Sequence, residues 1–398
     1  MIPAQPGLFA SAAGSSTTVD VQPLMAVAAQ TTMSTPRNVR KPLPRIRCVS
    51  LVAICFRLPL SVMEKIVRSM ESSSETIGAS PERDILRRIF PRLPESRYAP
   101  LGPGDDAAVI SAPDGRYVVT TDMMVHGPDF RLAWSSPEDL GWKAAATNLA
   151  DVAAMGAVPT ALVVALALPR DLTLAVVEGI ADGFRLACDA LAPGCGVVGG
   201  DLSTSSVLTI AVSAFGDLGG RSPVLRSNAR PGDTLALAGR MGEAARGIRL
   251  LFSEAVDPVS GEPDRARMEA LRRSHADVID AQLRPQPPIT AGPRAARAGA
   301  TAMLDVSDGL ALDARRLADA SGVSLWLDSA RLGPDPQISL VGGEDHSLLA
   351  TFPPDSHLPE EFIPLGQVRE GTGIWVDGQA FDEHGGWEPF IEWDGNAG

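Results

Sequence analysis

Acidic side chains stand among glycines and small apolar residues at six places in this sequence. A carboxylate in such surroundings costs several kcal/mol unless a positive group meets it. Lys and Arg are absent from these segments, so we expect the compensating charge to come from outside them. Hard divalent cations bound by oxygen are the natural candidates, and Mg²⁺ usually arrives with a substrate's phosphates. The six acidic segments are Gly104-Asp105-Asp106-Ala107-Ala108, Thr120-Thr121-Asp122-Met123, Asn148-Leu149-Ala150-Asp151-Val152, Gly199-Gly200-Asp201, Leu304-Asp305-Val306-Ser307-Asp308-Gly309 and Gly342-Gly343-Glu344-Asp345.

Three of these segments follow elements that would direct them at a ligand. Asp122 closes the β-rich run Arg116–Thr121. Asp151 comes three residues after Asn148, so both side chains share one face of a helix. Gly199-Gly200-Asp201 follows a short apolar run, and glycines there would let backbone N–H groups approach a phosphate closely. Together the segments predict a magnesium–nucleotide enzyme.

Two segments also have purely structural explanations. Gly102–Asp106 contains the residue types of an ordinary surface turn. Ser307 could cap a helix that begins at Asp308, which would explain Ser307 but not Asp305 at the end of a strand. The prediction of function therefore depends on the joint pattern of all six segments.

Composition fits a soluble enzyme of 398 residues, long enough for two domains, with 45% apolar and 21% charged residues. The net charge is −13, but residues 1–69 carry +6, which leaves −19 for the rest. An acidic body disfavours nucleic acid as a partner, while a metal ion would allow ATP to bind. The cysteines lack zinc-type spacing, so Cys188 and Cys195 are expected to be buried free thiols of a cytoplasmic protein.

Residues 1–79 are predicted to be a disordered extension, or to reflect translation from upstream of the true start. The basic cluster Arg37–Arg47 and the apolar run Cys48–Phe56 resemble a signal peptide, but they lie deep in the chain. Arg57 and Pro59 end the run, which is too short to cross a bilayer. We therefore expect no membrane partner.

Hydrophobic patterning and capping signals predict two α+β halves, with domains at 80–227 and 228–392 and a site between them. Ser80, Ser136 and Asp171 are the predicted N-caps of the first three helices. The predicted helices are Pro81–Phe90, one from Ser136 to Met155, Leu172–Ala190, Arg265–Arg273, Ile289–Ala298 and Ser307–Ser321. The predicted strands are Arg116–Thr121, Leu162–Leu168, Gly196–Val198, Val207–Phe215, Thr234–Gly239, Ala302–Asp305, Ser324–Leu327 and Ser347–Phe352.

Familiar catalytic signatures are absent from the sequence. No Gly-x-x-x-x-Gly-Lys-Ser/Thr loop occurs, and no His-Arg-Asp or Asp-Phe-Gly pair is typical of a protein kinase. None of the five histidines lies in a Gly-x-Ser-x-Gly context.

The order of motifs along the chain resembles thiamine-monophosphate kinases, which belong to the aminoimidazole ribonucleotide synthetase-like superfamily of ATP enzymes. The resemblance covers about residues 82–392. It implies a two-domain α/β (α+β) fold in which the N-terminal domains of two subunits pair into a dimeric β-barrel. It also implies transfer of the γ-phosphoryl group of ATP to thiamine phosphate. The motifs are Gly-Pro-Gly-Asp-Asp-Ala-Ala (102–108), Thr-Thr-Asp (120–122), Lys143 with Asn148–Ala157, Gly-Gly-Asp (199–201), Arg226 with Pro231-Gly232-Asp233, Leu-Asp-Val-Ser-Asp-Gly-Leu (304–310) and Gly-Gly-Glu-Asp (342–345).

Roles carried over from the resemblance fall into three groups. The implied ligands of several Mg²⁺ ions are Asp106, Thr120, Thr121, Asp122, Asp151, Asp201, Asp305 and, further out, Asp308. The implied nucleotide contacts are Gly200, Asp201, Arg226 and Ser307. The implied contacts to thiamine phosphate are Asp129, Glu344 and Trp387. No general base is assigned, because a phosphate oxygen is already ionised at neutral pH.

Three departures from the family pattern concern the substrate pocket. Asp129 stands where the family usually has His, and His126 lies three residues earlier. The stretch between Asp328 and Gly342 is shorter than usual, and His346-Ser347 replaces the expected Tyr-Glu. Pro389 follows Trp387-Glu388 where a His is common.

Two kinds of protein are alternatives to a thiamine-monophosphate kinase: other enzymes of the superfamily and a relative without catalysis. Selenophosphate synthetase needs a reactive Cys near its first glycine loop, and the hydrogenase-maturation relative needs a C-terminal Cys; this chain has neither. A relative that binds metal or regulates without catalysis is the alternative from another functional class.

Overall fold

The structure is a computed structural model that describes residues 75–103 and 107–387. These residues belong to one compact unit, Pro59–Gly398. Residues 1–74 of the extension predicted over residues 1–79 lie outside the described residues, and so do Asp105 and Asp106. Residues 75–79 are part of the fold, since Ile77 N donates to Leu172 O at 2.8 Å and Gly78 N to Arg170 O at 2.7 Å.

The first half contains a four-stranded sheet with the strand order β1-β4-β2-β3. Only β2 and β3 are parallel, and the other two pairs are antiparallel. The short 3₁₀ turns are Ile77–Ala79 and Phe90–Arg92. The helices are α1 (Glu82–Ile89), α2 (Pro137–Ala154) and α3 (Leu174–Leu191), and the strands are β1 (Val118–Val125), β2 (Val158–Leu168), β3 (Gly196–Thr204) and β4 (Thr209–Asp217).

The second half contains a seven-stranded mixed sheet with the order β11-β10-β7-β9-β5-β8-β6. A 3₁₀ turn spans Ser329–Arg331. The helices are α4 (Glu243–Glu254), α5 (Arg265–Ser274), α6 (Ala276–Leu283), α7 (Ala291–Arg297), α8 (Leu310–Ser321) and α9 (Pro336–Val341). The strands are β5 (Thr234–Ala238), β6 (Ala302–Val306), β7 (Ser324–Leu327), β8 (Ser347–Phe352), β9 (Phe362–Arg369), β10 (Ile374–Val376) and β11 (Gln379–Ala380).

One apolar core joins the two sheets through α2. Leu149 and Val152 of α2 are fully buried, and the same cluster of side chains includes Ala238 of β5 and Phe352 of β8. A helix buried on nearly every side must satisfy its polar groups within the protein. Lys143 and Asn148 of α2 are accordingly buried, and Asp151 of the same helix lines a cleft. The domain division at 227/228 remains a prediction.

Helix starts show which capping signals the fold uses. Ser136 is confirmed as the N-cap of α2, where its hydroxyl accepts from Asp139 N and the Asp139 carboxylate accepts from Ser136 N. The other predicted caps are wrong because Pro81, Thr173 and Gly309 occupy those positions. Ser80 instead donates its hydroxyl proton to Glu75 Oε1 at 2.8 Å.

Two acidic segments lie inside strands, contrary to the sequence prediction. β1 continues for three residues beyond Asp122, and Gly199-Gly200-Asp201 runs through the middle of β3. Gly200 is needed for packing, because a Cβ atom there would lie 1.9 Å from the carbonyl oxygen of Val164 on β2. Gly200 therefore allows two strands to approach, and the segment is part of a strand and not a phosphate-binding turn.

The described residues include no helix with both the length and the apolar character needed to cross a bilayer.

Candidate active site

β1 and α2 hold the first part of the site. Thr120 Oγ1 donates to Asp151 Oδ2 at 2.8 Å, and Asp122 N donates to Asn148 Oδ1 at 3.0 Å. Asn148 is 1% exposed, and its amide nitrogen donates to Ala144 O at 2.9 Å. The shared helix face predicted for Asn148 and Asp151 is thus the face that contacts β1.

β6 brings a third carboxylate to the same place. Asp305 lies next to the end of β6, and its Oδ2 atom is 3.3 Å from Nδ1 of the buried His346. Burial opposes protonation of His346, but the carboxylate of Asp305 outweighs it and raises the pKa of the imidazole. Asp305 is therefore held from one side by the imidazole of His346.

Asp122, Asp151 and Asp305 form the acidic cluster. Burial, Asp305 and Asp122 raise the pKa of Asp151 to about 7. Burial, followed by Asp305, Asp308 and Glu344, raises the pKa of Asp122. Such shifts arise when carboxylates share one space without enough positive charge.

Hard oxygen donors with a shortage of positive charge are what a Mg²⁺ ion needs. The residues therefore fit the metal in donor chemistry and charge. No three His, Cys, Asp or Glu side chains within residues 75–103 and 107–387 are already grouped as metal ligands. Like-charged carboxylates gain nothing by converging before a cation arrives.

Part of the compensating charge comes from Arg316 and Lys143, which lie outside the six acidic segments, as expected. Arg316 Nη1 donates to Asp308 Oδ2 at 2.6 Å and to Asp313 Oδ1 at 2.7 Å. Lys143 Nζ lies 2.5 Å from Glu344 Oε2. Asp122 and Asp151 have no such ion pair among the described residues. The uncompensated charge is thus concentrated at the acidic cluster.

Two recesses flank the acidic cluster. A cleft of about 900 Å³ is lined by Thr120, Asp151, Asp305 and Arg226. A smaller cavity of about 430 Å³ is lined by Ser307, two residues beyond Asp305, and by several aromatic side chains. We call it the aromatic cavity. The end of β6 therefore lies between the cleft and the aromatic cavity.

The aromatic cavity brings together all three residues assigned to the substrate: Asp129, Glu344 and Trp387. Trp387 is 38% exposed, and its backbone N–H donates to Asp308 O at 2.9 Å. The remaining wall includes Phe130, Trp134 and Phe252, with the Arg131 guanidinium 4.6 Å from the centre of the Trp134 ring. The cavity thus offers aromatic surface and carboxylates together.

Asp129 itself lines the cavity, whereas His126 does not. Burial raises the pKa of Asp129, although its Oδ2 atom accepts from Val125 N at 2.6 Å. The His126 ring instead packs against Phe130, with 5.5 Å between the ring centres. Asp129, and not His126, is therefore the residue that faces the aromatic cavity.

Several assigned residues are not brought to the cluster. Asp201 and Gly200 lie on β3, at the opposite edge of the sheet from β1, and Asp201 lines neither recess. The Thr121 hydroxyl donates to Val212 O at 2.9 Å, on the sheet face opposite to Thr120. Asp106 lies outside the described residues.

Lys143, His346 and Arg316 were not assigned roles from the sequence. Lys143 and His346 contact acids that are distant in the chain, so no local pattern reveals those pairings. Arg316 instead pairs with the nearby Asp308 and Asp313. Lys143 did leave a signal. It is the only lysine between residues 75 and 387, and it lies in an alanine-rich stretch.

Comparison with known proteins identifies the family. A family model described as AIR synthase related protein, N-terminal domain, matches residues 104–218. The thiamine-monophosphate kinase of Mycobacterium tuberculosis is 40% identical over 342 residues, covering 82% of this chain and 96% of that relative. The chain belongs to the thiamine-monophosphate kinase family.

Solved structures of this family have the same fold. The thiamine-monophosphate kinase of Stenotrophomonas maltophilia aligns with a TM-score of 0.62 and 31% identity, covering 75% of this chain and 97% of that one. A structure described as AaThiL complexed with AMPPCP and TMP aligns with a TM-score of 0.59 and 29% identity, covering 83% and 99%. The resemblance inferred from the motifs, and the mixed α/β fold class expected from it, are confirmed.

Proposed function

We propose that this protein transfers the γ-phosphoryl group of ATP to thiamine monophosphate, which gives thiamine diphosphate and ADP. The observation that carries the proposal is the junction at β6, where the acidic cluster adjoins the aromatic cavity. The similar structure with AMPPCP and TMP holds an ATP analogue and a second ligand together. The cleft would take the nucleotide and the aromatic cavity would take the thiamine moiety.

Mg²⁺ would be held by Asp122, Asp151, Asp305 and Thr120, with Asp308 further out. When bound, the ions would screen the repulsion between two highly charged phosphates that must approach in line. The chain's own contribution is positional: Asn148 fixes β1 against α2, and His346 holds the Asp305 carboxylate in place. We keep Asp106 and Thr121 as proposed ligands.

The nucleotide and the substrate would use different walls. Arg226 is exposed in the cleft, where its guanidinium could pair with phosphate. Ser307 lies at the junction and would contact the nucleotide from there. The thiazolium ring of thiamine is cationic, and both the Trp387 face and the carboxylates of Asp129 and Glu344 favour a cation.

We propose that the active form is a homodimer. β1 and β3 are the two edges of the four-stranded sheet among the described strands, and an unpaired edge favours pairing with another chain. Val119 and Met123 of β1 are 62% and 61% exposed, which is typical of a surface covered by a partner. Pairing β1 of one subunit with β3 of the other would place Asp201 and Gly200 beside the acidic cluster of that partner.

A cytoplasmic location is also proposed. Cys188 and Cys195 are buried free thiols, as predicted, and free thiols suit a reducing compartment.

Formation of ADP tests the proposed function. Purified protein with ATP, Mg²⁺ and thiamine monophosphate should form ADP and thiamine diphosphate in equal amounts. Omitting thiamine monophosphate or chelating Mg²⁺ should each stop the reaction. ATP and Mg²⁺ binding without turnover would instead favour the alternative, a non-catalytic or altered-substrate relative of the same superfamily.

A further inference from the structure

Lys143 is a buried cation on α2. Its side chain is 8% exposed, and its ammonium nitrogen lies 2.5 Å from Glu344 Oε2. An ammonium in an alanine-rich interior is stable only when it is paired and hydrogen-bonded. Because arginine supplies nearly all other positive charge in the described region, a compact ammonium at this position is a specific feature.

Gln282 of α6 provides a second partner. Both ends of the Gln282 amide are hydrogen-bonded when its oxygen accepts from Lys143 Nζ at 3.1 Å and its nitrogen donates to Ala244 O of α4 at 3.0 Å. Gln282 is 5% exposed. Lys143 therefore links α2 to α6 and, through Gln282, to α4, which carries part of the wall of the aromatic cavity.

Glu344 stands in a backbone segment that needs support. Its φ is +73° and that of His346 is +51°, both in the left-handed region that side chains other than glycine disfavour. Glu344 N donates to Ser307 O at 2.7 Å, which fixes the main chain. Such a conformation persists only when the surrounding contacts impose it, and the contact made by the Glu344 carboxylate is Lys143.

We infer that Lys143 is the positioning residue of the aromatic cavity, acting through Glu344; this inference rests on the proposed function. Lys143 does not line the cavity, whereas Glu344 does. The ammonium keeps the Glu344 carboxylate at the cavity wall and balances its charge while no cationic substrate is present. When thiamine monophosphate binds, the cationic ring meets a carboxylate that is already oriented.

Kinetics of Lys143→Met test the inference. The variant should raise KM for thiamine monophosphate about tenfold, because Glu344 loses the group that orients it. KM for ATP should change less than twofold, since the cleft is not altered. Calorimetric binding of thiamine monophosphate alone should weaken by the same factor. If Lys143→Met does not fold, Lys143→Gln keeps a polar side chain of similar length for the same measurements.

A double-mutant cycle separates positioning from direct contact with substrate. If Lys143 acts only through Glu344, Lys143→Met combined with Glu344→Gln should be no worse than Glu344→Gln alone. If the double variant instead raised KM for thiamine monophosphate by the product of the two single effects, Lys143 would contact the substrate itself, and the inference would be overturned. Equal losses of affinity for ATP and thiamine monophosphate in Lys143→Met would also overturn it.

Arg272→Met is the matched control. Arg272 of α5 forms an ion pair at 2.8 Å with the buried Asp139 of α2, the helix that carries Lys143, but it does not line the aromatic cavity. This variant should melt earlier and keep both KM values. Turnover by the unaltered enzyme tests the proposed function separately. An inactive unaltered enzyme would refute that function, while the binding measurements would still decide the role of Lys143.

Discussion

Burial and the neighbouring carboxylates of Asp305 and Asp122 act together on Asp151 and raise its pKa to about 7. Thr120 relieves part of this by donating a hydrogen bond at 2.8 Å. The residue is thus arranged for a cation and is costly to the protein without one. An arrangement that lowers stability in the free state is expected at functional sites.

Removing one charge should therefore stabilise the metal-free protein. Asp151→Asn and Asp122→Asn should each raise Tm in the presence of a chelator by about 2–4 °C, the shift expected for about 1 kcal/mol in a chain of this size. Both should abolish ATP turnover. Differential scanning calorimetry and an ADP assay measure the two effects.

Asp201→Asn serves as the comparison, since Asp201 lies away from the cluster within one subunit. It should abolish turnover, and it should raise Tm in chelator only where two subunits associate, because Asp201 then lies beside the partner's cluster. Full turnover of Asp122→Asn at limiting Mg²⁺ would contradict the assignment of the cluster.

Trp387 provides a second prediction for a single residue. Trp387→Ala should raise KM for thiamine monophosphate about five- to thirty-fold, the equivalent of about 1–2 kcal/mol of lost cation–π or stacking contact. KM for ATP and Tm should change little, because the ring is 38% exposed and lines the cavity. Equal defects for both substrates with a lower Tm would mean that the ring supports the fold.

The acids of the site could be predicted from the sequence, whereas their partners could not. Asp122, Asp151 and Asp305 stood out because carboxylates among small apolar residues are unusual. Lys143 and His346 contact acids on other elements, which only the fold brings together, whereas Arg316 pairs with acids close to it in the sequence. The sequence therefore predicted where charge is concentrated but not how much of it the protein compensates.

At the level of elements, the last acid of the sixth segment caps a helix. Asp345 accepts from Gly242 N at 2.5 Å and from Ala244 N at 2.9 Å, at the start of α4. A carboxylate at a helix N-terminus satisfies free N–H groups and interacts favourably with the helix dipole. Asp345 thus joins the Glu344 segment to the helix that carries Phe252.

The cap should make stability depend on pH. Burial raises the pKa of Asp345 to about 6, and the charge of Glu243 adds to this rise. The hydrogen bonds from Ala244 N and Gly242 N, and the charge of His346, act in the opposite direction. The charge of Arg240 also faces this carboxylate. Between pH 4 and 6 the folded state holds the proton longer than the unfolded state does, so stability falls as pH rises.

Asp345→Asn isolates this effect. Calorimetry in chelator measures the Tm of both proteins. The Tm of the unaltered protein should fall relative to that of the variant as the pH rises from 4 to 7. Asp257→Asn is the control, because backbone bonds from Ser260 and Val259 lower the pKa of that exposed group. A Tm difference between the unaltered protein and Asp345→Asn that does not change with pH would show that the folded state does not retain a proton on Asp345.

Strand and helix positions were predicted better than their ends and caps. β7 and β8 have the predicted bounds because apolar runs between turn residues leave few alternatives. The cap of α8 was wrong because Asp313, one turn inside the helix, accepts from Asp308 N and Gly309 N and replaces Ser307. α4 and α6 were not predicted, although their buried faces line or support the aromatic cavity.

For the whole molecule, the main difficulty is the separation of Asp122 from Asp201. The aligned residues Asp122, Val212, Val164 and Gly200 cross the sheet from β1 to β3. Three strand spacings place these edges about 14 Å apart. Sequence motifs list the two acids together, but the topology of one subunit keeps them apart. A second copy is the simplest way to unite them.

Complementation between subunits tests this directly. If each site takes Asp122 from one subunit and Asp201 from the other, a dimer of one Asp122→Asn chain and one Asp201→Asn chain has one intact site and one doubly altered site. The two homodimers should be inactive, whereas the mixed dimer should recover about half the activity of the unaltered dimer. Co-expression with two different affinity tags would isolate the mixed species for the ADP assay. If each site were built within one chain, every site in the mixed dimer would carry one altered acid. Mixed dimers as inactive as the homodimers would therefore exclude a shared site and require Asp201 to reach the cluster by rearrangement of its own subunit.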